Sequence, residues 1–227
     1  MCGRFTNRYT WRELHALYML SVGFPQSNFR PRYNIAPTQI APVVRLEDGT
    51  REIAFLKWGL VPSWAKDANG GAKLINARAE TVADKPAYKN AFQRRRCLVI
   101  ADGFYEWKKE SAKAKQPYFI TLKDNAPFAF AGLFEHWKPN DVSDLIETFT
   151  IITTTANELI APLHDRMPVI LAPDNWPRWL GEGAGPVAPD RLKAMLAPFP
   201  AGRMTAWPVT KAVGNVKNDD PSLVQAV

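Results

Sequence analysis

Short runs of β-branched and aromatic residues recur along most of the chain, and each run predicts a strand. Turn-forming residues separate several of them, such as EDGT after the first run and DG inside the third. The pattern therefore predicts a sheet made of many short strands. The runs are APVVRL, REIAFLKW, RCLVIADGFYEW, QPYFITL, FAFAGLFEHW, TFTIITTTA and MPVILA.

Helical patterns interrupt these strands at a few places. The segment TWRELHALYML predicts a helix, since Thr10 and Glu13 have the spacing of a capping box. Helices are also predicted around KPAYKNAFQRR, at NELIAPL, at DNWPRWLG capped by Asp174 and at DRLKAMLA capped by Asp190. The arginine run Arg94–Arg96 is expected to form a solvated helix end.

The order of these elements favours one fold class. Strands and helices do not alternate regularly, which argues for an α+β fold rather than a doubly wound parallel sheet. We expect a single domain over residues 1–227. Its centre would be a curved, mostly antiparallel, barrel-like sheet with several peripheral helices.

The chain carries an excess of positive charge. Its 227 residues include 29 Lys and Arg against 22 Asp and Glu, a formal charge of +7. Such an excess favours anionic partners, of which nucleic acid is the commonest. No apolar run approaches the ~20 residues that span a bilayer, and the first residues contain no apolar signal segment. We therefore expect a cytoplasmic protein without a membrane partner, and a monomer, since no second hydrophobic face is evident.

Most standard catalytic motifs are missing from the sequence. There is no phosphate-binding loop, no GxGxxG and no GxSxG, and the three histidines lack metal-ligand spacing. Two cysteines allow neither a disulfide scaffold nor a cysteine-rich zinc site, and Cys97 reads as a core residue of a strand. The sequence predicts neither a metal nor a cofactor.

The opening residues MCGRF place a cysteine directly after the initiator methionine. Methionine is normally removed before a small residue, which would give Cys2 a free α-amine of pKa ~7.7–8.0 beside a thiol of pKa ~8.5. The amine can condense with an aldehyde, and the thiol can then close a thiazolidine ring. An abasic site in DNA supplies such an aldehyde. The same cysteine also suits attack on an acyl carbon, as in N-terminal-nucleophile hydrolases, and both chemistries stay open here.

Three polar positions stand within or beside apolar segments: Asn76 in KLINARAET, Glu106 in DGFYEW and His164 in PLHDRMPVIL. Each could serve catalysis, and each also has a structural alternative. Glu106 could face solvent on a two-sided strand, Asn76 could cap the following turn, and His164 could fix a loop.

Eight segments in a fixed order resemble the SRAP (SOS response-associated peptidase) family of abasic-site processing proteins. They are MCGRF, RYNIAPTQ, WGLVPSWAK, LINARAET, DGFYEWKK, FAGLFEHW, LHDRMPVIL and VGNVKND, and they cover the whole chain. The resemblance implies the SRAP fold, binding to single-stranded DNA and a covalent thiazolidine crosslink to abasic sites. Such a protein would be associated with the nucleoid while bound to DNA.

The resemblance also implies catalytic roles. Cys2 would be the nucleophile, and Asn76 would orient its amine or carbonyl. Glu106 would act as general acid and base for imine formation and ring closure, and His164 would shuttle protons to open the sugar ring.

A DNA groove follows from the same resemblance. Arg4, Arg78 and Arg166 would neutralise phosphates beside the lesion. Asn34 and Pro37 would line the pocket. These assignments are implied by the family motifs alone.

The motif WGLVPSWAK contains two tryptophans, either of which could contact a base or pack in the core. Trp64 could stack or wedge against a base, whereas Trp58 is expected to pack in the core. Some family members carry a second aromatic residue directly after the position of Trp64, where this chain has Ala65. This difference concerns the wedge and leaves the crosslink unaffected.

Three other functions stay open from the sequence. The first is a thiol autoprotease or peptidase that uses Cys2, Glu106 and His164. The second is a non-covalent reader of modified bases, which would need no aminothiol. The third is a lyase that acts through the α-amine alone.

Overall fold

A computed structural model describes residues 2–20, 30–111, 114–138, 145–183, 185 and 187–227. Thirteen strands are formed within these ranges. They are β1 (Phe5–Asn7), β2 (Arg32–Ile35), β3 (Ile40–Glu47), β4 (Thr50–Trp58), β5 (Asn76–Arg78), β6 (Arg96–Ala101), β7 (Gly103–Lys109), β8 (Lys115–Leu122), β9 (Phe128–Trp137), β10 (Ile146–Thr155), β11 (Arg166–Pro168), β12 (Ile170–Leu171) and β13 (Met204–Pro208).

Five of the strands close into a barrel. Hydrogen-bonded neighbours run from β10 to β4, β3, β6 and β9, and β9 pairs again with β10. Every contact in this ring is antiparallel except that between β10 and β4. Strands β5, β11 and β12 attach at its margin. The predicted curved, mostly antiparallel sheet is confirmed, and closure removes the exposed edges that an open sheet would leave.

A second sheet of five strands, in the order β13-β8-β7-β1-β2, lies against the barrel. The alternation of side chains along each strand sends one face of β7 towards the barrel core and the other face towards a smaller cluster. Phe104 belongs to the core shared with the barrel, whereas Tyr105 packs with Phe119 and Val213 in the smaller cluster. Strand β1 therefore carries the N-terminal residues into the main core.

Helices cover the outside of the barrel. They are α1 (Trp11–Tyr18), α2 (Lys89–Arg94), α3 (Trp176–Leu180) and α4 (Pro189–Ala194), with five 3-10 turns in the described residues. Thr10 and Glu13 form the predicted capping box of α1. No helix among the described residues is both long enough and apolar enough to span a membrane.

Three predictions about helices are wrong. NELIAPL forms consecutive turns, because Asn157 bonds the amides of Leu159 and Ile160 and Pro162 has no amide hydrogen to continue a helix. Asp174 lies inside a 3-10 turn, and Asp190 lies in the first turn of α4 rather than at its cap.

The arginine run is also more buried than expected. Arg96 is 8% exposed and donates to the carbonyls of Phe92, Gln93 and Trp179. It thereby satisfies the end of α2, where carbonyl groups lack helical partners. Arg95 pairs with Glu135, so only Arg94 is the solvated helix end that the sequence predicted.

Candidate active site

Cys2 lies at the edge of the main core, just before β1. Its side chain is fully buried, and Sγ lies 3.9 Å from the carbonyl oxygen of Arg4. Strand β1 has only three residues, but it pairs with β2 on one side and β7 on the other. Burial, together with the nearby carboxylate of Glu106, raises the pKa of the Cys2 thiol. The thiol is therefore neutral near pH 7 and needs a base before it can attack as a thiolate.

Asn76 holds the backbone of Cys2. It begins β5, which runs parallel to β10, and its Nδ2 donates to the carbonyl oxygen of Cys2 at 2.8 Å. The Oδ1 atom of Asn76 is buried and has no hydrogen-bond partner among the described residues. A buried acceptor without a donor is unfavourable, which makes this oxygen available to an incoming N–H or O–H group. The sequence also allowed Asn76 to cap the following turn, but its side chain bonds the backbone of Cys2 instead.

Glu106 lies on β7 and is 2% exposed, so the solvent-facing alternative is wrong. Burial raises the pKa of its carboxyl group to about 7. Its charge acts on Cys2, and the charge of Asp165 acts in turn on Glu106. A carboxyl group that titrates near neutrality can both accept and donate a proton at physiological pH.

This pKa predicts how folding stability depends on pH. The pKa is about 7 in the folded protein against an ordinary 4.5, so the folded state binds more protons between these values. The stabilisation is full below about pH 4.5 and is lost as pH rises through about 7, a change on the order of 3 kcal/mol. We expect the free energy of unfolding of wild type, relative to Glu106→Gln, to fall by that order between pH 4.5 and 8.

Urea denaturation at a series of pH values measures this difference. Glu158 is exposed, so Glu158→Gln serves as a control whose difference from wild type should stay nearly flat. A flat difference for Glu106→Gln as well would contradict a raised pKa at this position.

His164 precedes Asp165 in the chain, and the charge of Asp165 acts on both His164 and Glu106. Its Nδ1 accepts a hydrogen bond from the backbone N–H of Arg166 at 2.9 Å and also lies 2.7 Å from a carboxylate oxygen of Asp165. The two contacts require opposite protonation states of Nδ1. Burial lowers the pKa of His164, and Asp165 is 84% exposed, so we assign Nδ1 as the acceptor. The neutral ring then carries its proton on Nε2.

Arg4 and Asn34 fasten the segment 213–218 to the N-terminal strands. Arg4 donates to Oδ1 of Asn34 at 2.7 Å and to the carbonyl oxygen of Val213 at 2.6 Å. Nδ2 of Asn34 lies within hydrogen-bonding distance of three carbonyl oxygens, those of Val213, Asn215 and Asn218. Asn34 is fully buried. These contacts give the motif VGNVKND a structural role, since its main chain is held against the N-terminal strands.

Arg166 and Arg78 lie at the same end of β10, on opposite sides of it. Arg78 pairs with Thr153 through β5 and is exposed. The guanidinium of Arg166 forms a two-pronged ion pair with Glu80, at 2.7 and 3.0 Å, and donates to the carbonyl oxygen of Thr153 at 2.6 Å. In this state Arg166 is occupied by a carboxylate, whereas Arg78 is open to solvent.

The two tryptophans differ as predicted. Trp58 is fully buried, meets Phe5 edge to face at 5.2 Å and donates to the carbonyl oxygen of Ile75. Trp64 is 64% exposed. Pro37 is half-buried and is followed by Thr38, whose φ of 70° is rare for a β-branched residue.

Sequence reasoning missed the buried acid Asp102. Asp102 is 1% exposed, accepts a hydrogen bond from Oγ1 of Thr6 at 2.5 Å and pairs with Arg8. It anchors β1 to the turn between β6 and β7. The sequence offered DG only as a turn signal, because nothing local reveals that β1 lies beside it. Glu80 was missed for the same reason, since Arg166 is distant in the chain.

The arrangement combines a buried thiol, a carboxyl group titrating near pH 7, a neutral imidazole and an amide. It can move protons during addition to a carbonyl group and during loss of water. Among the described residues, no group of three or more His, Cys, Asp or Glu side chains could hold a metal ion.

Comparisons with known proteins agree with this architecture. The abasic site processing protein YoaM of Bacillus subtilis is 42% identical over all of this chain and 98% of its own length. The abasic site processing protein YoqW of the same species is 40% identical over the whole of both chains. A crystal structure of a protein from Bacteroides thetaiotaomicron matches with a TM-score of 0.88 and 28% identity over the whole of both chains.

A sequence model for the family described as SOS response associated peptidase (SRAP) matches residues 1–216. That match covers nearly the whole chain, and the relatives match it from end to end. The protein belongs to the SRAP family.

Proposed function

We propose that the protein binds single-stranded DNA and forms a covalent thiazolidine crosslink between Cys2 and the open-chain aldehyde of an abasic site. The observation that carries this proposal is the position of Cys2, whose carbonyl is held by Asn76 and whose thiol lies beside Glu106. The relatives are named abasic site processing proteins, which supports the same substrate. On this proposal we expect a cytoplasmic monomer that is associated with the nucleoid while DNA is bound.

The chemistry begins with the removal of Met1, which turns the nitrogen of Cys2 into an amine. The amine adds to the aldehyde carbon, and the resulting carbinolamine loses water to give an imine. The thiol then adds across the carbon–nitrogen double bond, its sulfur bonding to carbon and its proton passing to nitrogen. The raised pKa of the thiol supports this order, because a neutral thiol is a weak first nucleophile.

Glu106 carries the proton transfers, and His164 assists by hydrogen bonding. Glu106 takes a proton from the adding amine, returns one to the departing hydroxyl and then assists the thiol, as its pKa of about 7 allows. The neutral ring of His164 keeps its Nε2 proton, which suits a hydrogen bond to the ring oxygen as the closed sugar opens. The unpartnered Oδ1 of Asn76 can accept from the new amine.

DNA binding rests on the surface around these groups. Arg78 is exposed and suited to a flanking phosphate, whereas Arg166 must exchange Glu80 for a phosphate to do the same. We propose that Arg4, Asn34 and Pro37 shape the pocket wall and that Trp64 stacks on a base. Such stacking stabilises binding by roughly 1–3 kcal/mol per base.

A denaturing gel tests the proposed function. The protein is mixed with a single-stranded oligonucleotide that bears an abasic site, with an undamaged strand, and with a strand carrying a tetrahydrofuran analogue that has no aldehyde. We expect a band that survives heat and detergent with the abasic strand alone. Equal non-covalent binding to all three strands without such a band would favour a non-covalent reader, and strand cleavage without a stable band would favour a lyase.

Asn76→Ala tests the proposed positioning of Cys2. Loss of the 2.8 Å bond frees the Cys2 carbonyl, and misplacement of a reacting group by about 1 Å can cost 10²-fold in rate. We expect crosslinking at saturating DNA to slow by about that factor, with little change in non-covalent affinity. Single-turnover gels measure the rate, and Asn90→Ala, at an exposed position of α2, is the control. An unchanged rate for Asn76→Ala would remove this role.

A further inference from the structure

The exposed Trp64 lies on a segment that is held firmly at several points. The segment 59–75 connects β4 to β5. The backbone amide of Val61 donates to Oγ1 of Thr148 at 2.9 Å, and the amide of Ala65 donates to the carbonyl of Pro62 at 2.9 Å. Trp64 is 64% exposed, whereas the other tryptophans among the described residues are buried or half-buried.

Trp137 binds the residue that follows Trp64. It ends β9, is 7% exposed and donates from its indole Nε1 to the carbonyl oxygen of Ala65 at 2.7 Å. A buried indole N–H needs a partner, so this bond fixes the distance between the barrel and the residue that follows Trp64. The motifs WGLVPSWAK and FAGLFEHW, far apart in sequence, meet through this bond.

The other end of the segment is held by two glycines. A Cβ atom on Gly71 would lie 2.6 Å from the carbonyl oxygen of Gly59, and one on Gly59 would lie 2.7 Å from that of Gly71. Gly59 also has a φ of +128°, which side chains rarely adopt. The segment is therefore clamped against the end of β4 on one side and tied to β9 on the other.

We propose that Trp137 is a positioning residue for DNA binding, which holds the Trp64 segment in the conformation that stacks on a base. This inference rests on the proposed function. A platform held in its bound conformation loses less entropy on binding, so affinity rises without any direct contact between Trp137 and DNA. The reacting groups around Cys2 are held by other contacts, so Trp137 acts on binding and leaves the chemical steps alone.

The test separates binding from chemistry in the full-length protein. Crosslinking rates are measured against the concentration of an abasic single-stranded oligonucleotide for wild type, Trp137→Phe, Trp64→Ala and the double variant. Phenylalanine keeps an aromatic ring in the core and loses the indole donor. Trp207→Phe, on β13, is the matched control, because the Nε1 of Trp207 likewise donates to a backbone carbonyl, that of Val224 at 2.9 Å.

We expect Trp64→Ala to raise the half-saturating DNA concentration about tenfold, in line with the loss of one stacked base. Trp137→Phe should raise it about threefold, as expected for partial loss of the same interaction. The double variant should have the same half-saturating DNA concentration as Trp64→Ala, because both substitutions act on the same stacking interaction. The maximal crosslinking rate should be unchanged in Trp137→Phe, and Trp207→Phe should match wild type.

An unchanged half-saturating concentration for Trp137→Phe would overturn the inference, and so would full additivity with Trp64→Ala or an equal loss in Trp207→Phe. Gly71→Ala is a second test, because the added Cβ must push the segment 59–75 away from its contact with Gly59. It should weaken binding with the same rate maximum, and normal binding by this variant would count against a positioned platform. A wild-type protein that forms no adduct would instead overturn the proposed function itself.

Discussion

Replacement of Cys2 by alanine is expected to abolish the heat- and detergent-stable adduct with an abasic oligonucleotide. Alanine keeps the α-amine after removal of Met1 but cannot close a thiazolidine ring. An imine alone is hydrolysed readily in water, so no band should persist. Non-covalent affinity should change little, because the Cys2 side chain is fully buried. A gel shift under native conditions checks the affinity beside the denaturing gel.

Cys2→Ser separates the stages of the reaction. Serine retains the amine and a weaker nucleophile, so transient imine formation should persist and become visible when borohydride reduces it. A borohydride-trapped band for Cys2→Ser, with no stable band otherwise, is the expected pattern. A stable untreated band for Cys2→Ala would show that the thiol is not the group that closes the adduct.

Glu106→Gln is expected to have the second largest effect. Glutamine keeps the size and hydrogen-bonding ability of the side chain but cannot take up or release a proton. General acid–base groups typically contribute 10²–10⁴-fold, so the crosslinking rate at saturating DNA should fall by about that factor. The half-saturating DNA concentration should stay near that of wild type, since the side chain is 2% exposed.

The pH dependence distinguishes proton transfer from packing. The pKa of Glu106 is raised to about 7 by burial, so a plot of the wild-type crosslinking rate against pH should change slope near that pH. The bend should disappear in Glu106→Gln, whose remaining rate should follow only the amine. Glu158→Gln, at an exposed turn, is the control and should keep the wild-type profile. A bend near pH 7 that survives in Glu106→Gln would assign it to another group.

The long strands of the barrel were predictable, and the short strands that build the site were not. Strands such as β9 and β10 are ten residues long and rich in β-branched and aromatic residues. Strands β1 and β5 have three residues each, too few to show a period of two. Yet β1 follows Cys2 and β5 begins with Asn76. The sequence motifs therefore identified the site residues, but the hydrophobic pattern could not predict the short strands that bring them together.

Contacts between distant parts of the chain explain the remaining differences. Glu106 alternates with aromatic residues, and only the packing of β7 against the barrel decides which face is buried. The buried position of Arg96 depends on Trp179, which is 83 positions away. The partnership of Arg4 with Val213 spans 209 positions. No local sequence pattern predicts these pairings, because the paired residues are far apart in the chain and meet only when it folds.

The measurement that tests the central claim most directly is the intact mass of the adduct formed with an abasic oligonucleotide. We predict the mass of the protein without Met1 plus that of the DNA, less one water, and no change after borohydride treatment. Peptide mapping should place the attachment on Cys2. An adduct that retains Met1, gains two hydrogens on reduction, or maps to another residue would contradict a thiazolidine formed by Cys2.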